Sequence, residues 1–203
     1  MPYRRTPKVQ QRLDEQRAAI LDAAAELLAE SGYAGCSMAA VAAKAGVATG
    51  SVYQHFPGKA DLVVELFRRV VTREVDAVAA AADRPGTASE RVLAVVNTFA
   101  GRALKAPRLA YALLAEPVDA PIETERLVFR QAFRDIVARH VADGVRAGEL
   151  TPQDPAITAA GLVGAFAEVL IGPLTSGDAA AIEELCRFAV RAISPLGGSD
   201  AHT

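Results

Sequence analysis

The chain has 203 residues, with 22 Lys and Arg against 24 Asp and Glu, a formal charge of −2, and 5% aromatic residues. This is an ordinary soluble composition, and the chain is long enough to bury a core without disulfides or metals. Cys36 and Cys186 lie 150 positions apart in apolar stretches; they make neither a zinc or redox motif nor a secreted disulfide framework, so a reducing, cytoplasmic compartment is expected.

Arg4, Arg5, Lys8, Arg12 and Arg17 open the chain, but acidic residues from Asp14 onward leave no apolar core for a signal peptide. The longest charge-free apolar stretch, Pro155 to Ala167, meets Glu168 before reaching the roughly 18 residues of a membrane span. No bilayer crossing is expected. Alanine and unbranched or aliphatic residues dominate, which favours helices over sheets.

Glycine and proline divide the sequence into segments whose apolar spacing matches the helical period. Ile20, Ala24, Leu27 and Leu28 share a face of a first helix, about residues 10 to 31, stopped by Gly32. Ser37 caps a second, Met38 to Ala45, ending at Gly46; Thr49 opens a third that closes before Pro57 and Gly58. Lys59 begins a long fourth helix, with Leu62, Val63, Leu66, Phe67, Val70 and Val78 in register, broken at Arg84-Pro85-Gly86. A fifth carries Val92, Val96, Phe99 and Ala103, and a short piece runs around Leu109 to Leu114. After a proline-bounded loop, Glu116 to Pro121, a long helix carries Leu127, Val128, Phe133, Ile136, Val137 and Val141 to Gly148. Asp154 before Pro155 caps the next, which runs to Gly172-Pro173, and a last spans about Asp178 to Ile193. The reading is nine helices and no sheet, with disorder expected in the first eight or so residues and after Pro195. Residues 1 to 75 carry ten Lys and Arg against eight Asp and Glu, and the remainder twelve against sixteen.

Residues 37 to 56, SMAAVAAKAGVATGSVYQHF, have the helix, glycine turn and second helix of a helix-turn-helix. Val41, Val47, Val52 and Phe56 can hold the pair on the first helix, which leaves Thr49, Gly50, Ser51, Gln54 and His55 facing outward. Small residues there permit close approach to a nucleic-acid groove. A generic helical hairpin with a wet face fits the same pattern.

Residues 20 to 67 closely resemble the DNA-binding region of the TetR family of bacterial transcriptional regulators. The likeness rests on the Gly32-Tyr33 turn, the capping Ser37, Val41-Ala42 with Ala45-Gly46-Val47, Val52-Tyr53, His55-Phe56, and Lys59 with Leu62. It implies an all-α, nine-helix architecture with a helix-turn-helix domain and basic arm over 1-58, a connector helix over 59-80, and a ligand-binding and dimerisation domain over 81-203. Carried over by position, it implies phosphate contacts from Tyr53, Lys59 and His55, base reading by Thr49, Gly50, Ser51 and Gln54, and support from Ser37 and Lys44. Gln54 can pair bidentately with adenine, and the Thr49 methyl can touch thymine. Ala39 and Ala40 replace longer polar side chains, so base readout is expected to be sparse; the arm of Arg4, Arg5, Lys8 and Arg12 could compensate.

The resemblance further implies a homodimer on an inverted-repeat operator, released by a small lipophilic effector. Interface candidates are Leu162, Gly164, Ala165 and Phe166 on one helix and Leu185 and Phe188 on the next. Pocket candidates are Phe99, Arg102, Tyr111, Glu116, Phe129, Phe133 and His140. No phosphate loop, nucleophile elbow or His-x-x-x-His pair occurs, so neither catalysis, metal nor cofactor is expected. A helical adaptor or effector-binding protein, or an activator, could use the same scaffold.

Overall fold

The computed structural model describes residues 6–176 and 180–194, and among these it contains nine helices and no strand. They are α1 Pro7–Gly35, α2 Met38–Ala45, α3 Thr49–His55, α4 Lys59–Ala82, α5 Ala88–Ala103, α6 Pro107–Leu114, α7 Ala120–Arg146, α8 Pro155–Ser176 and α9 Ala180–Ile193. One apolar core runs through most of the bundle, from Ile20 and Leu28 of α1 through Leu62, Phe67, Val92 and Val137 to Ile193.

Several boundaries differ from expectation for local reasons. α1 starts earlier, at Pro7, a residue suited to a first helical turn, so Lys8 and Arg12 lie on a helix; Arg4, Arg5 and the tail from Pro195 lie outside the described residues. Gly32 breaks α1 at φ 66° and ψ −172°, a conformation almost confined to glycine. α7 begins a turn or more earlier than its apolar pattern because Pro121 again sits at the helix start. α8 continues through Pro173, which is buried.

Ser37 and Asp154 cap as expected, and Thr87 adds a cap that the sequence reading did not name. Ser37 Oγ accepts from the Ala40 amide at 3.1 Å, Thr87 and Glu90 form a reciprocal capping box, and Asp154 Oδ1 accepts from the Ala156 and Ile157 amides at 2.8 and 3.0 Å.

α8 has the length and composition of a membrane-crossing helix. In this fold it packs between α7, α6 and α9, with Ala159, Leu162, Val163, Phe166, Leu170 and Leu174 buried among them.

Candidate nucleic-acid interface and ligand cleft

The turn between α2 and α3 is set by Gly46, which adopts φ 66° and ψ 31° and returns its amide to the Ala42 and Ala43 carbonyls. Val47 N also reaches Ala42 O, at 3.0 Å. Val41, Val52 and Phe56 are buried and Val47 half-buried, which pins both short helices against α1. With Val52 inside, the period of α3 turns Thr49, Gly50, Tyr53 and Gln54 outward, and all four are exposed. Tyr53 is 52% exposed, a large aromatic with no packing duty to keep it there. A Cβ added to Gly50 would meet nothing within 4 Å, so no contact within the chain accounts for glycine at that position. Ser51 is half-buried.

Three of the expected DNA contacts are held inside the chain. Lys44 Nζ lies 2.6 Å from Glu30 Oε1 and 3.2 Å from Glu26 Oε2, and the Glu30 hydrogen bond raises its pKa. His55 Nε2 is 3.0 Å from Gln16 Oε1 on α1. Lys59 Nζ donates to Tyr33 O at 2.5 Å and lies 3.8 Å from the centre of the Tyr33 ring. These side chains fasten α2, α3 and α4 to α1, because the short helices have too little apolar surface to fix their own orientation. Arg17 adds to this, stacking 4.8 Å over Phe56 and pairing with Glu65 at 2.9 Å. Lys8 and Arg12, by contrast, are exposed on α1 and have no ion pair among the described residues.

The seven pocket candidates fall into separate places. Phe99, Arg102 and Phe129 line an apolar cavity of about 80 Å³ between α4, α5, α6 and α7, with Val70, Leu109 and Leu113. Arg102 closes its edge in a two-pronged pair with Glu74, at 2.5 and 2.8 Å. Phe133 is packed against Phe99 and Phe129, with ring centres 4.8 and 4.6 Å away, as core behind the cavity. Tyr111 and Glu116 instead face an open groove between α1, α6 and the end of α8. His140 is remote from both, buried on α7 with Nε2 3.7 Å from Asp83; expecting it in the pocket was wrong, because its helix face points to the α4–α5 corner.

Glu116 has another duty. Its Oε2 accepts from the Tyr33 amide at 2.9 Å, and a Cβ on Gly32 would lie 2.6 Å from Oε1. The Tyr33 hydroxyl donates to Asp119, and burial together with this bond raises its pKa. The α6–α7 loop thus grips the kink of α1, and Lys59 carries that grip to the first turn of α4. The loop is itself held by Arg126, a buried side chain that the sequence pattern did not single out. Its guanidinium donates to the carbonyls of Leu113, Ala112 and Glu116 at 2.7, 3.0 and 2.5 Å and to Glu123 at 2.8 Å. Its position before Phe129 and Phe133 on an apolar face was the available signal.

The interface candidates also divide. Leu162, Phe166 and Leu185 are buried within the chain and cannot meet a second copy. Their helices turn outward Ile157, Gly161 and Gly164 on α8 and Phe188 on α9, with Ala165 at the margin. Ile157 and Phe188 are 73% and 44% exposed.

A helix-turn-helix presenting an uncluttered polar α3 on a helical bundle defines a DNA-binding regulator. Residues 20–66 match the sequence profile of bacterial regulatory proteins, tetR family. The Fatty acid metabolism regulator protein of Bacillus subtilis is 25% identical over 133 residues, 64% of this chain and 69% of its own. The HTH-type transcriptional repressor KstR of Mycobacterium tuberculosis is 31% identical over 131 residues, 64% of this chain and 53% of its own, so the alignment spans about half of that relative. Among solved structures, the transcriptional regulator FadR from Bacillus subtilis in complex with stearoyl-CoA superposes with a TM-score of 0.75 at 20% identity, covering 86% of this chain and 95% of that one. The matched profile and these relatives are those of regulatory proteins.

Proposed function

We infer that the protein is a cytoplasmic, homodimeric repressor that leaves an inverted-repeat operator when an apolar effector enters the α4–α7 cleft. The observation that carries this is the pairing of an outward α3 surface with an apolar cavity one helix away from its support. Residues 1-58 read DNA, 59-80 connect, and 81-203 bind effector and partner. Tyr53, with Ser37 exposed at the α2 start, contacts phosphates; Thr49, Gly50, Ser51 and Gln54 read base edges. The apolar outer face of α8 and α9 packs on its copy, which sets two recognition helices about 34 Å apart along one face of the duplex. The fatty-acid regulator and the stearoyl-CoA complex favour a lipophilic effector for this chain as well.

The cavity supports the release step. About 80 Å³ is free, far below the roughly 300–1,000 Å³ of an ordinary ligand pocket. A long apolar effector therefore enters only by parting α6 from α4 and α7. α6 leads into the loop whose Glu116 and Asp119 hold Gly32 and Tyr33, so the parting shifts α1 and the start of α4. Effector and operator then weaken each other reciprocally.

The test is selection from random duplex DNA with the purified full chain, followed by titration of the selected DNA with long-chain acyl compounds. Enrichment of a two-fold symmetric sequence, and its release by one of these compounds, are the expected results. Sequence-independent retention alone would remove the operator reading; an affinity indifferent to every bound ligand would remove the release step.

A further inference from the structure

We propose that Arg130 and Arg134 form an anion site for the head group of an amphipathic effector whose apolar tail occupies the α4–α7 cleft. The inference rests on the reading of that cleft as the effector site.

Arg126, Arg130 and Arg134 recur every fourth residue along one face of α7 and line a second cavity, about 350 Å³, between the end of α6, α7 and α8. Their commitments differ. Arg126 is spent on three α6-end carbonyls and Glu123. Arg130 and Arg134 are half-buried, yet neither has an ion pair or hydrogen bond among the described residues, and Arg134 Nε is wholly shielded from solvent without a partner. Glu168 lines the same cavity but pairs with neither.

Shielding a guanidinium nitrogen from water without an acceptor, as at Arg134 Nε, is costly, and chains ordinarily supply one. Arg130 and Arg134, one turn apart and both uncommitted among the described residues, offer forked donors matched to phosphate or carboxylate oxygens. Leu114 lines both this cavity and the apolar cleft, so the two compartments adjoin at that side chain. A ligand passing Leu114 places a hydrocarbon chain among Phe99, Leu113 and Phe129 and its anion on Arg130 and Arg134. Fatty acids and fatty acyl phosphate-bearing thioesters share this chemistry.

The experiment is calorimetric titration of the full chain and the R130Q/R134Q variant with palmitoyl-CoA, palmitate and uncharged hexadecanol, with Nile red as a neutral probe of the cleft. The expected result is a loss of about tenfold or more in palmitoyl-CoA affinity, on the scale of one charge-assisted hydrogen bond, with Nile red and hexadecanol unchanged. An equal loss for palmitate assigns the site to carboxylate as well as phosphate; a loss for palmitoyl-CoA alone assigns it to phosphate. Undiminished binding of both anions by the variant overturns the proposal. So does a variant that sediments as monomer while keeping its ligand affinity, because the arginines would then serve the second copy. If the parent chain binds neither palmitoyl-CoA nor Nile red, the cleft reading itself has failed.

Discussion

Two regions of the molecule handle their cations in opposite ways. Around α2 and α3, Lys44 and Lys59 are bonded back to Glu30 and to Tyr33, and His55 to Gln16, so the reading surface offers polar shape more than charge. Along α7, Arg130 and Arg134 stay half-buried and without partners among the described residues. The short α2 and α3 use Lys44 and His55 as fasteners and α4 uses Lys59 at its first turn, whereas the 27-residue α7 is held by its core face and leaves Arg130 and Arg134 unassigned. Arg126 is the instructive intermediate, a charge buried as a fastener within the large bundle.

Arg126→Ala is the strongest way to break that contrast. It leaves three carbonyls at the end of α6 and Glu123 without their donor, and removal of one member of a buried charged network costs about 3–5 kcal/mol. Chemical denaturation should show that loss, and operator affinity should fall with it, since the same loop holds Gly32 and Tyr33. If stability is kept while only DNA binding changes, Arg126 is not the fastener described here.

On the DNA side, Gln54→Ala and the pair Lys8→Ala with Arg12→Ala should separate reading from attraction. Loss of the amide should reduce discrimination at one base pair by about 1–3 kcal/mol, with little change for unrelated DNA. Removing the two exposed α1 cations should instead weaken all sequences alike and flatten the dependence of log affinity on log salt by roughly 0.9 for each phosphate no longer neutralised. Binding measured across a salt series on matched and scrambled operators distinguishes the two; a uniform loss in Gln54→Ala would reassign that residue to the backbone.

Legibility in the sequence follows the same division. The helix-turn-helix was readable because its signals are local: Ser37 caps, Gly46 turns, and Val41, Val52 and Phe56 recur where one inward face requires them. Even there, the sequence could not say that Lys44 meets Glu30 or Lys59 meets Tyr33, since those pairs depend on how α1 lies across the short helices. In the bundle, apolar period located all nine helices but not which stripe faces core, cavity or a second copy. Leu162, Phe166 and Leu185 have the same period as an interface and proved to be interior, because α8 is apolar on nearly every side. Tyr111 and Phe99 are twelve positions apart, and only the packing of α6 against both α1 and α8 puts them in different compartments.

The smallest expected effect concerns His140, the pocket candidate that lies away from both cavities. It is 3% exposed and neither ring nitrogen has a hydrogen-bond partner among the described residues. Burial, with Arg139 and Arg91 nearby, lowers its pKa below the ordinary 6.5, while Asp83 and Asp143 oppose that shift. The unfolded chain therefore takes up a proton as pH falls through about 6.5, before the folded chain does. Stability should be lost progressively from there downward and level off once the folded histidine also protonates. His140→Gln removes this part of the proton uptake, so its melting temperature should fall less than that of the parent chain between pH 7.5 and 5.5. Parallel melting curves over that range would show that His140 does not carry the acid sensitivity. Operator affinity at pH 7.5 should be the same in both chains, because His140 touches neither the loop at Gly32 nor the outward face of α3.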